Sequence, residues 1–413
     1  VGKGYLARLW PELPGPVWTV LLGVAISSLG TGLVLPFGAI YLHLVRHLAI
    51  PVVGAVLSLS ALASLVAGIT GGAWVDRLGP RTLMLIGLAL QALGFAGFGF
   101  SVSMPEAALS MLLIGAGAGC FYPAFAALLA AITTRVQRSN AAALQYAATN
   151  LGIGLGAVVG GAVISTSSPS SFTRIYLFNA LSFLAFGALV AARTPAGMQG
   201  SQAHERRGYG IVLRDRVFLA VVGFNALVVF STYAQLDSSV PLYARVFLGV
   251  NTLWLGVILA VNTAFIVFAQ LPVARAVRHL DRSQTLALCA GVWTACWLVG
   301  ALASLNHGVG AAWILGGFAV LFGLGECLLA ATIGPLVADL APAATRGRYM
   351  AAFNISWSLG LLAGPAIGGV VVGSRLHSLM WLLWALVALG LVAYATFLGR
   401  HLPGAVNRPP ATT

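Results

Sequence analysis

Two carboxylates stand inside long apolar runs, where a hydrocarbon solvent would oppose them. Of the nine acidic residues in the chain, Glu326 sits in Gly323-Leu324-Gly325-Glu326-Cys327 and Asp237 in Tyr233-Ala234-Gln235-Leu236-Asp237-Ser238-Ser239. A charged carboxylate at mid-bilayer costs about 2.5 kcal/mol or more on insertion scales unless it faces a cavity or takes up a proton. The chemistry open to such a group is proton carriage or recognition of a cation. For Glu326 the plainer alternative is a hydrogen bond to a neighbouring helix. For Asp237, followed by Pro241 where the chain is expected to leave the bilayer, it is a helix-end carboxylate paired with Arg245. Phe121, Tyr122, Asn225, Tyr233 and Gln235 could complete a binding surface near these acids, with Asn354 and Trp357 less favoured. Trp293, Trp297, Trp381 and Trp384 read as including interface anchors.

The elements that must hold these groups are membrane helices. A hydrocarbon core about 30 Å thick needs roughly 20 apolar residues per helix, and lipid offers backbone groups no partner but each other. Twelve such stretches are expected near residues 17–43, 50–75, 81–102, 105–131, 139–166, 173–194, 217–244, 252–274, 283–304, 309–339, 349–374 and 376–399. The first is too long for a signal-peptide core and lacks a small-residue cleavage site, so it reads as a retained helix.

Composition agrees, with 59% hydrophobic and 8% charged residues, and 50 glycines that suit close helix approach in lipid. A net charge of +13 would point to nucleic acid in a soluble chain. Here the basic residues instead alternate between joints. With the N-terminus placed in the cytoplasm, eighteen of the 22 fall inside, and only Arg46, Arg174, Arg245 and Arg375 fall outside. That bias requires an even number of spans with both termini cytoplasmic, as in a multi-pass protein of the cell's plasma (inner) membrane. Cys120, Cys289, Cys296 and Cys327 lie in apolar spans without metal-ligand spacing and read as packing residues.

The chain repeats at about half its length. Gly152, Gly156, Gly160 and Gly161 recur 208 residues on as Gly360, Gly364, Gly368 and Gly369; Gly115 and Gly117 recur as Gly323 and Gly325, and Arg138 as Arg346. Two homologous six-helix halves follow, 1–194 and 214–413, joined by a polar cytoplasmic linker, 195–213. Internal duplication without a cofactor motif is the pattern of a transporter that rocks two bundles about a central site. A nucleotide-binding glycine loop, a metal-spaced cluster and a nucleophile-base pair are all lacking from the sequence, so neither an enzyme nor an ATP-driven pump is expected.

Between the second and third spans stands Gly72-Ala73-Trp74-Val75-Asp76-Arg77-Leu78-Gly79-Pro80-Arg81. It resembles the G-x-x-x-D-R-x-G-R-[RK] signature of the major facilitator superfamily, with Pro80 in place of one basic residue. The resemblance implies an all-α fold of twelve transmembrane helices in two pseudo-symmetric bundles, with helices one, four, seven and ten lining the cavity. It also implies that Gly72, Asp76, Arg77, Gly79 and Arg81 belong to a cytoplasmic gate, made in the outward-facing state and broken when the inside opens. The matching loop of the second half, Arg278-His279-Leu280-Asp281-Arg282, is degenerate.

The fifth span is similar to the drug/proton antiporter motif G-x-x-x-G-P-x-x-G-G, with Ala157 for the proline. The full form, Gly360, Gly364, Pro365, Gly368 and Gly369, stands in the eleventh, where the small residues are expected to let helices of opposite halves pack. A further antiporter hallmark, an arginine in the fourth span, is replaced by Met111. The combination is most like the bacterial drug-efflux branch: a monomeric, lipid-embedded exporter of small amphipathic or cationic molecules by proton antiport. Its partners are then substrate and protons, with no cofactor, metal or nucleic acid. A nutrient facilitator or symporter, a lipid exporter or flippase, and a receptor-like protein without flux are the alternatives.

Overall fold

The computed structural model describes residues 13–194, 210–342 and 345–408. The described residues form helices without strands, as lipid demands of backbone that has no water to bond. Twelve are long and apolar enough to span: α1 Gly15–Val45, α2 Ile50–Gly71, α3 Pro80–Phe100, α4 Met104–Ile132, α5 Asn140–Val163, α6 Pro169–Arg193, α7 Arg216–Val246, α8 Thr252–Ala276, α9 Arg282–Ala303, α10 Gly308–Leu340, α11 Gly347–Gly373 and α12 His377–His401. Their starts are set by local chemistry. Proline occupies the first turn of α1, α2, α3, α4 and α6, where its missing N–H costs nothing. Asp281 with Gln284 and Ser103 with Glu106 form capping boxes at α9 and α4.

The packing repeats with the sequence. In the first half α1 lies on α5 and α6, α2 on α4, and α3 on α4 and α6; each pairing recurs six helices on, with α7 on α11 and α12, α8 on α10, and α9 on α10 and α12. The halves meet mainly through two further pairs, α2 with α11 and α5 with α8, which exchange under the same pseudo-two-fold. Of the expected linker, residues 195–209 lie outside the described residues, and Gly210–Arg214 is a short helix leading into α7.

The glycines decide which neighbour each helix meets, and here the expectation changes. A Cβ on Gly152, Gly156 or Gly160 would strike Ser28, Leu29 or Leu33 of α1; one on Gly360, Gly364 or Gly368 would strike Val229, Ala234 or Ser239 of α7. Both four-residue runs therefore pack helices within one half, not across the halves. The adjacent glycines turn the other way, Gly161 to Thr252 and Leu253 of α8 and Gly369 to Gly54 and Ile50 of α2. One residue is about 100° of helix, enough to change partners.

Two spans are broken near the arginine-poor end. α1 passes through a 3-10 turn at Leu35–Phe37 and a π turn at Tyr41–Val45. α7 runs as Arg216–Ser231, Tyr233–Asp237 and Ser239–Val246, interrupted at Thr232 and Ser238. Pro241, expected where the chain leaves the membrane, lies inside the last of these pieces. The four tryptophans read as including interface anchors are fully buried core residues: Trp297 and Trp381 rings lie 5.9 Å apart and Trp384 meets Phe230 at 5.3 Å.

Gly156→Val directs a branched side chain against the Leu29 carbonyl and Leu33 N–H. It should lower stability by about 1–3 kcal/mol, whereas Gly390→Ala, with open space around it, should stay within about 0.5 kcal/mol; thermal unfolding of the detergent-purified protein measures both.

Candidate functional site

Glu326 occupies the middle of α10, buried, and α10 lies against α8 and α9. Its Oε2 accepts a hydrogen bond of 2.8 Å from Nδ2 of Asn262 on α8, and the same amide donates to the Ala319 carbonyl at 3.3 Å. Gly323 makes this approach possible, because the Asn262 amide lies only 3.2 Å from where its Cβ would be. The Tyr233 hydroxyl approaches the carboxylate from α7, and Tyr146 of α5 faces it from the other half within electrostatic range. No arginine, lysine or histidine among the described residues pairs with it. The Tyr233 ring packs on Trp357 of α11 at 4.8 Å, Phe322 at 6.0 Å and Trp293 at 6.3 Å. One carboxylate thus sits beside aromatic faces, whose negative quadrupole favours cations.

Tyr122, in the fourth helix, is 67% exposed. Tyr146, 42% exposed, is placed similarly on α5.

The two halves meet at the arginine-poor end. There Arg245 Nη2 of α7 reaches Thr166 Oγ1 of the first half at 3.3 Å, Thr252 Oγ1 reaches the Ile164 carbonyl at 3.3 Å, and Gly38–Ile40 of α1 packs on Ser239–Val246 of α7. The close glycine contacts between the halves, Gly54 with Pro365, Gly161 with Thr252 and Gly256 with Ala157, all lie toward that same end. The Asp76 and Arg77 side chains are exposed and make no hydrogen bond or ion pair among the described residues, and Arg81 donates to the Ala191 carbonyl of α6, inside its own half. The molecule is open toward the arginine-rich side.

Two overlapping stretches, residues 20–315 and 255–413, match the Major Facilitator Superfamily. The chain belongs to this superfamily. It is a multi-pass membrane transporter, not an enzyme. The uncharacterized MFS-type transporter YqjV of Bacillus subtilis (strain 168) is 27% identical over 372 residues, 88% of each chain. Multidrug resistance protein MdtH of Aeromonas hydrophila subsp. hydrophila is 28% identical over 390 residues, 92% of this chain and 93% of its own. Among solved structures, the POT family transporter PepTSo has the same fold, with a TM-score of 0.76 at 15% identity over 95% of this chain and 99% of that one.

Within this superfamily fold the residues singled out from the sequence separate into two groups. Glu326 and Tyr233 come together, with Asp237 within electrostatic range on the broken part of α7; Tyr122 is exposed on α4. Asp237 does not pair with Arg245, which is taken by Thr166. Asn225 and Gln235 are fully buried and bridge helices instead of lining the cavity: Asn225 Nδ2 donates to Ser356 Oγ of α11 at 2.7 Å, and Gln235 Nε2 donates to the Phe230 and Gly364 carbonyls at 2.9 and 3.0 Å. Phe121 packs on Phe125 and Phe186.

In the second half's loop, Asp281 caps α9 and faces Arg408 at 3.8 Å, while Arg282 pairs with Asp339 at 2.5 Å. These charges stay within one half. Sequence reasoning missed Asn262 and Tyr146. The signal for Asn262 was an amide in the apolar middle of α8, in Ala260-Val261-Asn262-Thr263-Ala264.

Asn225→Ala removes the buried amide bridge to Ser356 and leaves a space in its place, and should lower stability by about 1–3 kcal/mol while leaving substrate affinity unchanged. Tyr122→Ala should do the reverse, weakening substrate binding with an unaltered unfolding midpoint; ligand titration and thermal unfolding, run side by side, separate the two.

Proposed function

We propose that this transporter exports small amphipathic or cationic molecules in exchange for protons. The observation that carries the reading is Glu326, a mid-membrane carboxylate held by one amide and approached by a phenol, with aromatic rings beside it and no cation to neutralise it. Such a carboxylate is costly in hydrocarbon unless a proton or a cationic ligand joins it. Proton and substrate then compete for one group, and their exchange drives the cycle of alternating access. Asp237 is an auxiliary acid in the same electrostatic neighbourhood, and Tyr122, Tyr146, Tyr233 and Trp357 form the walls that meet the apolar part of the substrate.

The arginine-rich face is cytoplasmic in this reading, so both termini lie inside the plasma membrane of the cell, and the described structure is inward-open. The halves, 1–194 and 214–413, move about the α2–α11 and α5–α8 contacts. Asp76, Arg77 and Arg81, with Gly72 and Gly79 setting the close turn, join the two halves when the inner side closes. The partnerless state of Asp76 and Arg77 and the inward placement of Arg81 support a latch that is released here. The protein acts as a monomer among membrane lipids. The likeness to a multidrug resistance protein over most of both chains supports the efflux reading.

Proteoliposomes loaded with a pH indicator and given a panel of cationic dyes and antibiotics test this. Substrate-dependent proton movement is expected with the unaltered protein, and Glu326→Gln should reduce it to the level of protein-free liposomes while dye binding persists at reduced affinity. Proton movement unchanged in Glu326→Gln would remove Glu326 from coupling, and its absence with every compound would end the antiport reading. Asp76→Asn should slow transport without lowering the unfolding midpoint of the inward-open form.

A further inference from the structure

Asn262 stands at a junction that the transport reading alone does not use. On one side its amide holds Glu326 Oε2 at 2.8 Å and the Ala319 carbonyl at 3.3 Å, both on α10. The next residue, Thr263, sits against Gly154 of α5, in the opposite half, where an added Cβ on the glycine would collide with the Thr263 hydroxyl. Two turns away on the same helix, Gly256 meets Ala157 and Val158 of α5 at backbone distance. Consecutive residues of α8 thus touch the central carboxylate and the other half. Asn262 is 3% exposed and Thr263 5%, so neither can shift without moving its neighbours.

We propose that Asn262 is a positioning residue that passes the protonation state of Glu326 to the contact between the halves. The inference rests on Glu326 being the proton carrier. A carboxylate accepts the Asn262 N–H in a charge-assisted bond, stronger than a neutral one. Once protonated, the acid gains an O–H donor, and the partner it needs is an acceptor. The Asn262 carbonyl supplies one if the amide turns, which withdraws Nδ2 from both Glu326 and Ala319. The tie between α10 and α8 is thereby remade, and α8 carries the change to Gly154 and Ala157 of α5 through its own rigid backbone.

The titratable groups around Glu326 are Tyr233 and Asp237 from α7, Tyr146 from α5, Cys289 and Cys296 from α9, and Cys327 on α10 itself. The tyrosines and cysteines are ordinarily neutral phenols and thiols near pH 7, which leaves Asp237, ordinarily a carboxylate, as the one other acid in this group.

The test follows the conformational response to pH in the full chain. Spin labels at Trp74→Cys on the helix continuing α2 and Leu271→Cys on α8, both exposed positions, report opening of the arginine-rich end in lipid nanodiscs, with Cys120→Ser removing the partly accessible native thiol. The distance should change with one midpoint across pH 5 to 9, and Glu326→Gln should abolish the change. Asn262→Leu deletes the donor to the charged form, so the midpoint should move to higher pH by about one unit or more, tenfold in proton affinity, or the amplitude should vanish. Asn262→Gln, which keeps the amide, should restore most of the response.

A pH response that survives Glu326→Gln removes the carrier and the premise with it. A response lost in Glu326→Gln but unmoved in Asn262→Leu overturns the role of Asn262 while leaving the carrier intact. Loss in Asn262→Gln as well as Asn262→Leu marks a packing role and also overturns it. Should Asn262→Leu not fold, Asn262→Ser, whose hydroxyl is too short to reach, decides by the same midpoint.

Discussion

Backbone-to-backbone contact through glycine is the constraint on which this structure depends. Lipid gives helices no hydrophobic reason to associate, so affinity between them comes from van der Waals contact at short range, and that needs residues without bulk. Gly54 beside Pro365 and Gly369, and Gly256 beside Ala157, bring the two halves to distances no larger residue would permit. The same surfaces are nearly featureless chemically, with few hydrogen bonds to break. An interface of this kind is firm in packing yet lacks a polar lock, which suits two bodies that must stay joined while they tilt.

The pseudo-two-fold gives the halves equal frames but not equal chemistry. Both halves pair their helices in the same pattern, yet the two acids inside the spans, Glu326 and Asp237, belong to the second half, while Tyr146, in electrostatic range of Glu326, comes from the first. The duplicated motif loops have diverged in the same sense. In the first half Asp76 and Arg77 stand free, whereas in the second Asp281 and Arg282 are consumed by helix capping and by Asp339.

The twelve spans, their duplication and the burial of Glu326 were legible in the sequence because each leaves a signal there: run length, a fixed offset of 208, and a lone carboxylate in apolar surroundings. What each glycine touches was not, since a four-residue period defines a face without naming the neighbour across it. The breaks of α7 fall at Thr232 and Ser238, which carry no mark of a helix breaker, and the deep burial of Trp293, Trp297, Trp381 and Trp384 depends on how helices from four spans converge. Asn225 and Gln235 looked like cavity residues because an amide in a membrane helix announces a need for partners, and its type is silent about whether those partners are ligand or protein. Asn262 was overlooked for the same ambiguity, in the opposite direction.

The interruption of α7 is fastened from within. Gln235 lies between the two breaks and is fastened twice, to the Phe230 carbonyl below it and the Gly364 carbonyl of α11, while its Oε1 accepts from Ser239 above at 2.7 Å. The short piece Tyr233–Asp237 is therefore anchored to the neighbouring helix and tied to the segments on either side, with the changes of helix direction placed at Thr232 and Ser238. It resembles an axle bracket: Tyr233 and Asp237 ride on the fastened part, so a bend taken up at Thr232 or Ser238 would leave both in place beside Glu326.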